Sequence, residues 1–216
     1  MFKFNAVRGA RLRVTIARRA GGSFQAYGQI LGADVGPFAL VRPGTADSAI
    51  ATREFYVRQS GEQFLQIQDL RNLNGASSVG GPTVTYSAQI DSVSTMPSIV
   101  TPPLVNQPGS VPGTGDVTAF LFTATLGDSL TASTRAKQLS TPSQVDTVLL
   151  LFDVFTVPPT LVASNDDIGN AQTDSAIASV APRTGPYLLV VDHYDVGGIA
   201  ADDRKWDVSL AGATPP

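Results

Sequence analysis

The sequence predicts an all-β protein organised as two tandem β-sandwich domains, and three observations carry that prediction. The 216 residues include 20 Gly and 15 Pro but only 15% charged residues, a balance that suits short strands joined by turns. No run with apolar residues at helical spacing lasts beyond about two turns, which excludes a helical protein. The chain also repeats itself. Phe2-Lys-Phe4-Asn-Ala6-Val-Arg-Gly9-Ala-Arg-Leu12 lines up with Phe120-Leu-Phe122-Thr-Ala124-Thr-Leu-Gly127-Asp-Ser-Leu130 at an offset of 118, with five identities. The tetrapeptide Asp-Ser-Ala-Ile occurs at 47–50 and again at 174–177, Gly61 answers Gly185, and Tyr86-Ser-Ala-Gln-Ile90 answers Trp206-Asp-Val-Ser-Leu210. An offset that drifts while landmarks keep their order is expected when loops vary in length and strands do not.

The first copy opens on a strand through Phe2 and Phe4. Leu12, Val14 and Ile16 then alternate with Arg11, Arg13 and Thr15, the pattern of a half-buried strand. Short apolar runs at 27–31 and 37–41 predict two more strands. Segments 54–58 and 63–68 flank Gln59-Ser60-Gly61 and read as a hairpin. Segment 83–90 closes the module, with Val84, Tyr86, Ala88 and Ile90 on one face. The second copy follows the same plan with strands at 119–125, 129–133, 147–152, 160–164, 175–180, 187–192 and 206–210. Between the copies, 91–115 holds Pro97, Pro102, Pro103, Pro108 and Pro112 among Ser, Thr and Gly. That composition predicts an extended, semi-rigid connector, although 98–101 can instead add an edge strand to the second sandwich. The expected domains are therefore 1–91 and 116–216, with 92–115 as a Pro-rich linker or leader.

Cysteine is absent, so no disulfide, thiolate metal site or cysteine nucleophile is available. The longest apolar run, at 147–152, is too short to cross a bilayer as a helix. No secretory leader is recognisable at Met1, and the first copy lacks a counterpart of the segment before Phe120; both favour an excised or trimmed start. The net charge of −3 is unevenly shared, with +4 in residues 1–95 and −7 in residues 96–216. Such a split permits head-to-tail attraction between molecules, or is drift of solvated charge.

The second copy resembles the bacterial pre-peptidase C-terminal domain. Four stretches carry the match: 115–130 with its Phe120-x-Phe122 strand; Asp146-Thr-Val-Leu149-Leu-Leu151-Phe-Asp153; Leu161-Val-Ala163-Ser164-Asn165-Asp166-Asp167; and Ala181-Pro-Arg-Thr184-Gly185-Pro-Tyr187-Leu-Leu189-Val-Val191-Asp192. The first copy looks like a diverged member, with Val41-Arg42-Pro43-Gly44 where the second has Asn-Asp-Asp. The resemblance implies jelly-roll-like β-sandwiches without catalytic activity, appended to secreted hydrolases and cell-surface proteins. It also implies roles in secretion, localisation or the binding of insoluble substrates. Some relatives bind calcium through an acidic leader and a Gly-Asp-x-Asp-Tyr strand. Here that strand reads Gly115-Asp116-Val117-Thr118-Ala119-Phe120, and the leader has no acidic pair.

Asn165, Asp166, Asp167 and Asp174 form the densest acidic group and are the candidate calcium ligands, since calcium takes several oxygen ligands from such loops. An Asn/Asp-rich turn, whose side chains cap backbone amides, is the favoured reading of the same residues. His193 is the only histidine, so a Ser-His-Asp arrangement would have to use it. No Gly-x-Ser-x-Gly elbow exists, and a surface histidine at a strand end is expected instead. Arg8, Arg11, Arg13, Arg18 and Arg19 form a basic group on the first hairpin. Without interleaved exposed aromatics it predicts a solvated or protein-contact face, with no nucleic-acid partner. Phe120, Phe122, Tyr187, Tyr86 and Trp206 are expected in the cores.

The function expected is a non-catalytic binding or spacer module of a secreted or cell-surface bacterial protein. It would contact an extracellular polymer or the other domains of a parent protein, without membrane insertion and without a firm cofactor requirement. The rival expectation is a subunit of an extracellular filament or surface layer, self-associating by strand addition and charge complementarity.

Overall fold

The computed structural model describes residues 1–32, 37–43, 49–74, 78–111, 116–168, 173–195, 199 and 203–212. The chain is all-β and divides into two compact units, one built on Met1–Val93 and the other on Ser94–Pro112, Val117–Tyr194 and the final strand. No helix among the described residues is long and apolar enough to cross a membrane.

In the first unit the strands are Phe2–Ala6 (β1), Arg11–Arg18 (β2), Ala26–Leu31 (β3), Pro37–Val41 (β4), Ile50–Tyr56 (β5), Gly61–Asp69 (β6) and Tyr86–Ser92 (β7). They form two sheets, ordered β1-β6-β3-β4 and β5-β2-β7. Alternation along β2 turns Leu12, Val14 and Ile16 inward, where they pack with Phe24, Ile30, Phe55 and Leu65. Each such side chain contributes about 1.5–3 kcal/mol when fully removed from water.

The second unit begins earlier in the chain, with Ser98–Ile99 (β8) and Leu104–Ser110 (β9). It continues with Thr118–Ala124 (β10), Ser129–Arg135 (β11), Thr147–Asp153 (β12), Thr160–Asn165 (β13), Ala176–Val180 (β14), Gly185–His193 (β15) and Lys205–Ala211 (β16). Its sheets are ordered β13-β12-β15-β10-β8 and β14-β11-β16-β9. Every residue of β12 is buried, which explains its unbroken apolar run.

Without β8 and β9, the strand orders of the two units coincide. The registers coincide as well. Phe4 lies opposite Gln63 as Phe122 lies opposite Tyr187, and Ala6 opposite Gly61 as Ala124 opposite Gly185. The β3–β4 pairing slips between Ile30 and Leu31, and the β12–β13 pairing slips between Leu151 and Phe152, the same place in each ladder. A bulge inserts a residue at the cost of a ladder bond, so its recurrence at one register position marks a shared backbone plan. Gly9 and Gly127 both take the left-handed φ that favours glycine, 79° and 89°.

Three expectations need correction. The segment 92–115 is not simply a connector: β8, within the edge strand allowed for at 98–101, pairs parallel to β10, and β9, which was not expected, pairs antiparallel to β16. Pro108 is accommodated because β9 is an edge strand, where a missing amide costs no ladder bond. The repeated Asp-Ser-Ala-Ile is not equivalent in register. Ile177 faces Ala132, whose counterpart Val14 faces Arg53, while Ile50 faces Ala17 three positions further on. Finally, the aromatic pairs are not buried alike. Phe120 is 6% exposed but its counterpart Phe2 is 48% exposed, and Trp206 is buried where Tyr86 is only partly so. The physical reason is the presence of β8 and β9 beside β10 and β16, with no described strand in the matching places beside β1 and β7.

Candidate functional site

Two places in the second unit hold chemistry that packing alone does not explain: a polar knot at one end of the sandwich and an apolar loop tip. The knot joins the two sheets. Thr134 Oγ1, on β11, lies 2.6 Å from Thr147 Oγ1, on β12, and accepts a hydrogen bond from the Ser175 amide at 2.9 Å. Thr147 Oγ1 donates to the Thr173 carbonyl at 3.2 Å. Ser175 Oγ sits 2.5 Å from the Thr147 carbonyl and 2.6 Å from that of Asp166, and its single proton serves one of them at a time. Thr134, Thr147 and Ser175 are all buried, so each hydroxyl needs a partner. At the matching register the first unit places Ile16, Ala26 and Ala51, all buried and apolar. One fold thus closes the same end in two ways.

Asp174 belongs to this knot. It is fully buried, and its Oδ1 accepts the amides of Ala136 at 2.6 Å and Lys137 at 3.3 Å, closing the turn after β11. Its own carbonyl takes the Ile168 amide at 2.9 Å. Asn165 Oδ1 accepts the Ala176 amide at 3.3 Å, while the side chains of Asp166 and Asp167 are exposed. Of the four candidate calcium ligands, two are thus engaged with backbone amides and two face solvent. Among the described residues no three His, Cys, Asp or Glu side chains gather as a metal site. Residues 169–172 of the same loop lie outside the described ones.

His193 corrects a further expectation. It is 1% exposed rather than on the surface, because the last residue of β15 lies opposite Thr147 under the sandwich end. Its amide donates to Asp192 Oδ1 at 2.8 Å. The first unit places Asp69 at this register position. There the Arg71 guanidinium, 2.7 Å away through both Nε and Nη2, holds the carboxyl below its usual range against the opposing effect of burial. The Gln25 and Arg71 amides also bond to Asp69, each at 3.1 Å.

The basic group of the first hairpin is partly neutralised. Arg11 and Arg13 both clamp Glu54, which is itself buried; Arg11 Nε and Arg13 Nε each donate to it at 2.9 Å. Tyr187 is fully buried, donates its hydroxyl to the Arg183 carbonyl at 2.7 Å, and stacks 5.9 Å from Phe122. Burial pushes its hydroxyl pKa up, as expected for a phenol whose charged form would be desolvated.

The apolar tip is formed by three loops that the hairpins bring to one end. The Leu126 amide donates to Thr184 Oγ1 at 2.9 Å, joining the β10–β11 and β14–β15 turns. Arg183 lies 5.3 Å over the Phe155 ring and pairs through Nε with Asp153 Oδ2 at 2.6 Å, joining the β12–β13 loop to them. Asp153 Oδ1 fixes the Phe155 amide at 3.0 Å, so the ring is held from below. On these loops Leu126, Phe155 and Val157 are exposed by 66%, 64% and 94%. The sequence signal for the tip is Phe155 and Val157, on either side of Thr156 and just before the pair Pro158-Pro159.

No family model matches the chain, and no curated protein is similar to it. Similarity to solved structures is to β-domains. The pre-peptidase C-terminal domain of a Bacillus anthracis collagenase aligns with 16% identity over 56% of this chain and 99% of its own, at a TM-score of 0.43. The M60 catalytic domain with two CBM51 domains of Clostridium perfringens ZmpB aligns over 97% of this chain and 33% of its own, at 9% identity and a TM-score of 0.29. A serine-rich repeat adhesion glycoprotein of Streptococcus agalactiae aligns over 99% of this chain and 87% of its own, at 11% identity and a TM-score of 0.23.

Proposed function

We propose that the chain is a non-catalytic accessory module of a secreted or cell-surface bacterial protein, made of two related sandwiches of the pre-peptidase C-terminal kind. In this reading it holds a parent protein against an insoluble extracellular polymer. The observation that carries it is the tip of the second unit, where Leu126, Phe155 and Val157 stand exposed on loops braced by Asp153, Arg183 and Thr184. Exposed apolar side chains on fixed loops cost solubility in a free protein and are retained where they meet a surface. Arg183, stacked on Phe155 while paired to Asp153, stiffens the ring and lowers the entropy lost on contact. The shared strand order and the common bulge support a duplicated module, in which each unit presents its own loop ends.

Sedimentation of the purified chain with fibrous collagen, cellulose, chitin and peptidoglycan tests the reading. Retention on at least one polymer, reduced about tenfold or more in Phe155→Ser/Val157→Ser, is expected. Wild-type retention by that variant, with its melting temperature unchanged, would overturn the assignment of the tip.

A further inference from the structure

In the second unit, β8 and β9 close one long side of the sandwich. Ser98 and Ile99 run parallel to Phe120 and Leu121, and Val100 N donates to the Leu121 carbonyl at 2.9 Å. On the opposite sheet β9 runs along β16, with Gly109 opposite Trp206. The indole lies so close that a Cβ at position 109 would stand 2.2 Å from Cη2, so only glycine fits. Under this cover Phe120, Trp206, Val208 and Leu210 are all buried.

Among the described residues no strand covers the same side of the first unit. β1 and β7 are sheet edges, and no described strand lies on their outer sides. Between them is a groove of about 540 Å³ lined by Phe2, Arg19, Leu65, Tyr86, Ala88 and Ile90. Its aromatic floor is pre-arranged: Tyr86 stacks on Phe24 at 4.8 Å, and Phe2 meets Tyr86 edge-on at 6.5 Å. Tyr86, Ala88 and Ile90 hold the register positions of Trp206, Val208 and Leu210, yet Ala88 is exposed where Val208 is buried.

We propose that this groove is a strand-docking site, and that its occupant is an uncharged, extended segment of a partner polypeptide that adds one strand beside β7 and one beside β1, as β9 and β8 do in the second unit. The occupant's chemistry is read from the chain itself. Residues 94–111 carry no charged side chain, four prolines at three separated positions and a glycine at the point of closest approach to the aromatic ring. Open edges supply the ladder groups and the groove supplies side-chain specificity, the two components of strand addition. A second copy is a poor donor. Its own residues 94–111 already cover Trp206, and releasing them would open in the donor the groove it closed in the acceptor.

The test uses the full chain and a labelled synthetic peptide with the sequence of residues 94–111, read by fluorescence anisotropy and by amide chemical shifts. Saturable binding that perturbs β1 and β7 is expected. Ala88→Lys, which places a charge in the groove without touching the core, is expected to weaken it at least about tenfold, as is a peptide with valine at the position of Gly109. Phe155→Ser/Val157→Ser should bind the peptide as wild type does, which separates this site from the polymer-binding reading. Three results would overturn the proposal: no binding at millimolar peptide, shifts confined to β10 and β16 through exchange with the resident strands, or dimerisation of the chain alone that Ala88→Lys abolishes.

Discussion

Thr134→Val removes a hydroxyl while keeping the side-chain volume nearly unchanged, and so isolates what the polar knot contributes. In the wild type that oxygen accepts the Ser175 amide at 2.9 Å and meets Thr147 Oγ1 at 2.6 Å. After substitution Thr147 keeps the Thr173 carbonyl, but the buried Ser175 amide has lost its acceptor. A buried donor left unsatisfied costs about 1–3 kcal/mol. For a unit of this size that is a fall in Tm of roughly 4–15 °C. Calorimetry of the full chain reads it directly, because the transition of the first unit, with Ile16, Ala26 and Ala51 at these positions, should not move. Thr134→Ser retains the oxygen and should keep most of the stability. A valine variant melting within about 1 °C of wild type, below the smallest shift expected, would refute the view that the hydroxyl is a required acceptor.

The other predictions concern charge. Because Arg71 lowers the folded-state pKa of Asp69, the pair stabilises the first unit above the unfolded carboxylate value and loses that contribution as pH falls through the folded value. Asp69→Asn should therefore melt below wild type at pH 7, with the gap narrowing towards pH 2; a gap constant across that range would contradict the linkage. Raised by burial, the Tyr187 hydroxyl stabilises the second unit below the ordinary tyrosine pKa and ceases to do so as pH rises through the folded value, so Tyr187→Phe should flatten the alkaline limb of the melting profile. Calcium titration by calorimetry should give no tight binding, since Asp174 is turned to backbone amides. Micromolar affinity lost in Asp166→Ala/Asp167→Ala would reverse that.

The all-β architecture was legible because alternation along segments such as Leu12-Arg13-Val14-Thr15-Ile16 is a local property of the chain. Phe-x-Phe and the glycine pairs also kept their places, since β1 and β10 pair in the same register with β6 and β15. The tetrapeptide repeat misled: identity of four residues says nothing of which ladder rung they occupy, and Ile50 and Ile177 occupy different ones. β8 falls within the edge strand allowed for at 98–101, but Pro-rich composition hid β9, because an edge strand tolerates proline and need not look like a strand. The burial of His193 is not a local property of its neighbours in sequence, since the strand it ends pairs with Thr147, far away in the chain. The edge position of β1 was legible from the repeat, but the groove was not, being defined by the relation between β1 and β7 and by what covers their counterparts.

The central claim is that the two units share one sandwich plan, closed along one side in the second by β8 and β9 and without a described strand there in the first. Amide hydrogen exchange of the full chain, resolved residue by residue, tests it most directly. Gripped by β11 on one side and β9 on the other, the amides of β16 should be slow throughout. In β7, paired among the described strands with β2 alone, alternate amides should exchange close to the unprotected rate, and the same contrast should separate β1 from the residues of β10 beside β8. Uniform slow exchange along β7 and β1 in the isolated monomer would contradict the claim.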